Sequence, residues 1–207
     1  MIQNKFNDEL QQLYGHNARW ILGRAVERLR ADFPESSVQK FISEVIDDVV
    51  TNRLATLTED HDFVELYRVN LLVEQPAEDG CPIVVEPNPT VAHLLGTIEY
   101  QGGPGEEAYV SHMGIRAGAL LRADGGYLIL EARDVLEEPE AWKALTRVLR
   151  NRQLRIRAAG GSYFWAGPAL KPEPIELHVK VILLGDSDIY YMLDALDPDF
   201  SQLFKVL

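Results

Sequence analysis

Ala117-Gly118-Ala119-Leu120-Leu121-Arg122-Ala123-Asp124-Gly125-Gly126-Tyr127-Leu128-Ile129-Leu130-Glu131-Ala132-Arg133-Asp134 is the stretch on which the fold turns. Arg116–Ala123 reads as a short helix, and Asp124-Gly125-Gly126 supplies the residues that end one. Tyr127–Leu130 is then a compact apolar strand, closed by the acid Glu131. A helix, a glycine turn and a buried strand in this order form a repeating unit of α/β domains.

Reading outward towards the C-terminus, Asp134 is positioned to N-cap a following helix. Pro139 suits the first turn of a helix carrying Trp142, Leu145, Val148 and Leu149. Leu154–Ile156 reads as another strand. Leu177–Leu184 is a near-continuous apolar run, which predicts a strand covered on both faces. Towards the N-terminus, Ile83-Val84-Val85 is a short strand, and Val69, Leu71 and Val73 alternate as a strand would. Gly102-Gly103-Pro104-Gly105 is a loop. The first third is helical: Phe6, Leu10, Leu13, Trp20, Ile21, Ala25 and Leu29 form one apolar stripe. Phe33-Pro34 breaks it, and Ser36 with Gln39 predicts a capping box for a second helix carrying Val38, Phe41, Ile42, Val45, Ile46 and Val49. The expected architecture is α/β, a three-layer sheet at residues 67–207 preceded by a helical hairpin at residues 1–66.

Composition narrows the function. The chain has 207 residues, of which 46% are hydrophobic and 25% charged, the balance of an ordinary globular protein. Its formal net charge of -12 repels phosphate backbones, so nucleic acid is not expected as a partner. No apolar run approaches the roughly 20 residues of a membrane span, and the N-terminus lacks a signal peptide's apolar core; no membrane partner and a cytoplasmic setting are expected. One cysteine, Cys81, leaves no intrachain disulfide and no CxxC site. The five histidines show no metal-binding spacing. Arg147, Arg150, Arg152, Arg155 and Arg157 form a basic run, read either as a solvated helix end or as a subunit contact.

The Ala117–Asp134 segment resembles a recurrent AAA+ segment with a Walker-B-like strand. Asn88-Pro89-Thr90 to Leu94-Leu95-Gly96, Pro172–Ile175, Val179–Gly185, Asp197–Phe200 and Leu203–Val206 follow the same family in order. Together they resemble the Lon-related ATP-dependent proteases of the B-type branch, peptidases of the serine–lysine kind. The resemblance implies a P-loop-type sheet that uses ATP and Mg²⁺ in intact members, rings that are hexameric in the parent, and unfolded protein as substrate.

The residues at the matching positions depart from that chemistry. A phosphate cradle needs GxxxxGK[ST], and none of the six lysines follows a glycine. In family members that carry a P-loop it lies upstream of the helical insertion, so truncation would account for its loss; the protease domain follows the segment matching Lys205-Val206. The Walker-B positions for the metal ligand and the water-orienting acid are Glu131 and Ala132, with Asp134 a possible partial substitute. The sensor-1 position is Asp186, and no arginine follows Arg157 to act as an arginine finger. No catalytic residue, metal site or cofactor is therefore expected in this chain itself. Two loops match substrate-channel loops of the family, one carrying Tyr109 and one Tyr163, Phe164 and Trp165; mobile aromatics grip unfolded polypeptide through apolar contact. The expectation is a substrate-handling AAA+-like module with a degenerate nucleotide site. The alternatives are a truncated nucleotide-binding module of an active protease and a stand-alone scaffold or adaptor. AAA+ enhancer-binding regulators share the Gly-Gly-strand pattern, and the acidic charge and missing arginine count against them.

Overall fold

A computed structural model describes residues 2–54, 63–75, 80–101, 109–158 and 170–205. The chain divides into two units, Met1–Arg68 and Val69–Leu207.

The first unit is helical: α1 (Ile2–Ala25), α2 (Glu27–Asp32), α3 (Ser36–Asp48) running into a π-helical turn (Val49–Arg53), and α4 (Phe63–Leu66). α1 packs on α3 and the π-helical turn. The stripe that turns inward differs from the one the sequence predicts. Gly15, Ala18, Leu22 and Val26 are half-buried, with Ile42 and Ile46 of α3 buried, whereas Leu10, Leu13, Trp20, Ile21 and Leu29 are exposed. Small residues let the helix axes approach, and a Cβ on Gly15 would already touch Val50 Cγ1 at 3.5 Å. The expected capping box is also absent. Ser36 is the first residue of α3, and Gln39 turns back to donate to the carbonyls of Arg30 (2.9 Å) and Phe33 (2.7 Å), satisfying the end of α2. Tyr67 donates its hydroxyl to Asp48 at 2.7 Å.

The second unit runs β1 (Ile83–Val85), α5 (Val91–Leu95), β2 (Gly96–Gln101), β3 (Tyr109–Ala117), α6 (Ala119–Arg122), β4 (Tyr127–Glu131), α7 (Ala132–Glu137), α8 (Ala141–Asn151), β5 (Gln153–Leu154), β6 (Arg157–Ala158), β7 (Ile175–Glu176), β8 (Lys180–Leu184), α9 (Ser187–Leu196) and α10 (Phe200–Leu203). β1, β4 and β8 form a wholly parallel sheet with β4 in the centre. β2 pairs antiparallel with β3 and parallel with β6, and β5 pairs with β7. This is the α/β class expected, with a parallel sheet and flanking helices.

The glycine pair of the opening segment sets this sheet. Gly125 adopts φ 76, a left-handed turn that disfavours side chains. At Gly126 a Cβ would lie 2.0 Å from the Pro82 carbonyl, and that close approach lets Tyr127 N–H donate to Pro82 O at 2.8 Å. The pair therefore brings β1 alongside β4.

Several local expectations shift. Arg116 and Ala117 end β3, so the helix shortens to α6. Val69–Val73 forms no strand, and Val69 and Leu71 are exposed. Asn70 instead uses its side-chain amide to reach the carbonyls of His112 (2.9 Å) and Ile115 (3.0 Å) on the outer strand β3, so a side chain does what a ladder would do. Pro139 precedes α8 rather than opening it. Within Leu154–Ile156 only Leu154 lies in a strand; Ile156 is buried between β5 and β6. Asp134 lies inside α7 and is not its cap.

Leu177–Leu184 is the main correction, for only Lys180–Leu184 is strand and it is not covered on both faces. Val84, Leu128, Leu130, Val181 and Leu183 point into the core, among them Leu128 and Leu130 fully buried beside Leu94, Leu120, Val135 and Leu145. The alternate residues form a second apolar face that is exposed at Ile83 (66%), Val85 (64%), Ile182 (37%) and Leu184 (45%). β8 is an outer strand whose one described partner is β4.

Candidate functional site

In open parallel sheets, ligands bind beyond the carboxyl ends of the strands. Here each of the three parallel strands leads into an acid: Glu86 after β1, Glu131 closing β4, and Asp186 after β8. The three carboxylates are used differently. Glu86 is buried, accepts from Arg122 Nη2 at 3.0 Å and from Asn88 N–H at 3.2 Å, and has His93 Nδ1 at 3.5 Å. It thereby ties β1 to α5 and α6. Asp186 N-caps α9: its Oδ1 accepts from Ile189 N–H at 2.9 Å, while its Oδ2 accepts from Arg133 Nη2 at 3.3 Å. Glu131 is exposed and has no hydrogen-bond or ion-pair partner among the described residues.

The residue after Glu131 closes the site chemically. Ala132 is 4% exposed and begins α7, and its methyl group would meet a Cβ at Gly185 at 3.3 Å. The position next to the free carboxylate is thus a packed joint between β4 and the β8–α9 turn. Among the described residues no group of three or more His, Cys, Asp or Glu side chains is placed to hold a metal ion.

Downstream of Asp186, where an arginine finger would be sought, the chain is an anchor. Asp197 accepts from Trp142 Nε1 at 2.7 Å, and the indole packs on Phe200 and Phe204 at centroid distances of 6.2 and 5.8 Å. Asp199 forms an ion pair with Arg150, which uses one member of the basic run within the chain.

The second candidate region is the β2–β3 hairpin. Tyr100 pairs with Val110, and Tyr109 with Gln101, which sets two exposed tyrosines diagonally across its end. Residues 102–108 between them, and with them the glycine-rich loop, lie outside the described residues, as do Tyr163, Phe164 and Trp165.

The model of the family described as "LonB-like, AAA domain" matches residues 79–207, more than half of the chain. The chain belongs to this LonB-like AAA family. No curated protein matches it. Among solved structures it is similar to NtrX from Brucella abortus, at 16% identity and a TM-score of 0.37, across 99% of this chain and 40% of that one. A likeness of that degree adds nothing to the assignment, and the chain spans less than half of that structure.

Intact AAA domains of the LonB-like kind bind nucleotide and Mg²⁺. Of the side chains at the strand ends, Glu131 alone is free to meet a hydrated metal ion. Asp186 has both oxygens engaged, and Ala132 has no polar atom to orient water. The sequence positions of Glu131 and Asp186 thus correspond to adjacent strand ends, with Glu131 in register with Leu184 two residues before Asp186. Glu86 and Arg133 escaped sequence reasoning because their partners lie 36 and 53 residues away. Tyr100 could have been found from its place beside the glycine-rich loop. Among the described residues no helix is long and apolar enough to cross a membrane.

Proposed function

We propose that this chain is the substrate-handling AAA module of a Lon-type protease, holding a degenerate nucleotide site and working within a ring of like subunits. The observation that carries the reading is the junction Glu131–Ala132 beside Asp186. One carboxylate is free, the next position is a buried methyl, and the neighbouring strand's acid is committed to Arg133 and to the cap of α9. Hydrolysis needs a second group that orients the attacking water, and such groups contribute orders of magnitude in rate. The residues present therefore do not fit a working ATPase centre. In this reading unfolded protein is the partner, gripped by the exposed Tyr100 and Tyr109 on the hairpin and by Tyr163, Phe164 and Trp165. Serine–lysine chemistry belongs to the parent.

Calorimetric titration with ATP and Mg²⁺ tests the proposal: no heat of binding at millimolar nucleotide is expected. Saturable binding would overturn it in favour of a second reading, a nucleotide-binding module of an active protease, which the free Glu131 carboxylate at the central strand supports. For the grip, Tyr100→Ala with Tyr109→Ala should weaken binding of fluorescein-labelled unfolded casein several-fold; unchanged binding removes the hairpin from the proposal.

A further inference from the structure

β8 is bonded along one edge only, and the register fixes which of its backbone groups are left over. Lys180 N–H donates to Gly126 O at 2.9 Å, and in a parallel ladder alternate residues serve the same neighbour. Lys180, Ile182 and Leu184 therefore bond towards β4. Val181 and Leu183 turn their N–H and C=O groups the other way, where no strand pairs with β8 among the described residues. Val179 continues this alternation. Its neighbour His178 donates its N–H to Asp124 Oδ1 at 2.6 Å and accepts from Gly125 N–H at 3.2 Å, both on the β4 side.

The chain itself fills the start of the free edge. Leu177 N–H donates to Arg152 O at 3.0 Å, which extends the antiparallel ladder of β5 on β7. Arg152, at φ 51, is the bend between α8 and β5, so the cover stops there. Beyond it, from Val179 to Leu183, a row of outward-pointing donors and acceptors lies open. Such an edge is a template for a further strand.

A groove of about 440 Å³ accompanies it. Leu177, His178, Val179, Lys180 and Val181 all line this groove. Side chains of an extended chain alternate between two faces, so five consecutive residues share one cavity only along their edge. Val148 and Leu149 of α8 and Leu203 and Phe204 of α10 form the walls. The polar lining is Arg152, His178, Lys180 and Gln202, with no carboxylate, in a chain whose net charge is -12.

These features select the occupant. A row of N–H and C=O groups at strand spacing is matched by extended backbone, since a helix has already spent its own. Every second side chain of an added strand would enter the apolar groove, and the others would lie beside the exposed Ile182 and Leu184. The fitting segment is thus apolar on both faces. Folded proteins keep such strands inside, and unfolded ones display them. The cationic lining favours acids over lysines at the ends of the segment.

We propose that the free edge of β8 is a docking site for an extended segment of unfolded protein, added as a further strand. The proposal rests on the substrate-handling reading above and gives that module a site that recognises backbone, separate from the tyrosines of the hairpin.

The probe is a fluorescein-labelled peptide of alternating valine and leucine with an aspartate at each end, titrated with the whole chain and followed by anisotropy. Saturable binding is expected. N-methylation of every backbone nitrogen in the apolar stretch should weaken it at least tenfold, although the apolar surface is kept. Val181→Pro, which removes an outward N–H and no bond to β4, should do the same. The proposal is overturned if the peptide does not bind, or if its N-methylated form binds equally well, which is plain apolar adsorption. It is overturned too if the chain dimerises in sedimentation and Val181→Pro dissolves the dimer, which gives the edge to a second copy. If labelled casein binds where the peptide does not, the edge is removed and the substrate-handling reading stands; if neither binds, both fall.

Discussion

The two faces of the parallel sheet each carry a row of aliphatic side chains, and the rows lead opposite lives; the open one is interrupted by Tyr127, Glu131 and Lys180. Towards the core, Leu128 and Leu130 are sealed under α-helical cover with Leu94, Val135 and Leu145. On the other side, Ile83, Val85, Ile182 and Leu184 repeat the same aliphatic chemistry in contact with solvent. Hydrophobicity alone therefore does not say what a strand residue contributes; the cover above it does. A methylene contributes about 0.8 kcal/mol when it is buried and close to nothing when it stays wet.

The largest test of that contrast is Leu130→Ala, at 1% exposure. It should cost about 3 kcal/mol in a urea unfolding experiment, the sum of lost transfer energy and the cavity left behind. Next comes Glu86→Ala, which leaves Arg122 and the Asn88 N–H without their acceptor on the covered side and should cost about 2 kcal/mol. On the open face, Ile83→Lys with Val85→Lys should change the unfolding free energy by less than about 0.5 kcal/mol while cutting fluorescence of the apolar dye ANS. A large loss of stability there would mean that the face is covered in solution, and the contrast would collapse.

The smallest effect belongs to the helical unit. The Tyr67 hydroxyl, then Asn52 and Arg53, hold the Asp48 carboxyl below its usual value. A carboxyl lowered in the folded state stabilises above its unfolded value of about 3.8, and the contribution is lost as pH falls through the folded one. Tyr67→Phe should thus lower stability slightly at pH 5–8 and make no difference in strong acid. A gap between the two proteins that persists at pH 2 would show that the hydroxyl acts by something other than this carboxylate.

Much of the architecture was legible because the signals were local. Gly125-Gly126 followed by Tyr-Leu-Ile-Leu-Glu specifies a turn and a strand, and the strand is where it should be. Misreadings came where one pattern admits two physical outcomes. In α1 the bulky stripe outweighs Gly15 and Ala18 in any count of hydrophobicity, yet it is small residues that let two helices approach. At Val69–Val73 the alternation is real, but Asn70 meets β3 through a side chain and no ladder forms. In the run Leu177–Leu184, His178 and Lys180 fall on the alternate positions shared by Ile182 and Leu184 and mark the open face, a period-two signal outweighed by the aliphatic residues around it. At the strand ends, Glu131 and Asp186 could be located from position, whereas the engagement of Asp186 with Arg133 depends on a contact between distant residues.

The anchoring of Trp142 carries an optical consequence. An indole whose N–H is held by the Asp197 carboxylate, with Phe200 and Phe204 against its rings, sits in an asymmetric, partly dry environment. Trp20, by contrast, is bathed in water. Emission from Trp142 should lie to the blue of Trp20, and its near-ultraviolet ellipticity should vanish when the last two helices lift away. The molecule so carries its own gauge for the seating of its C-terminal end, readable without a label.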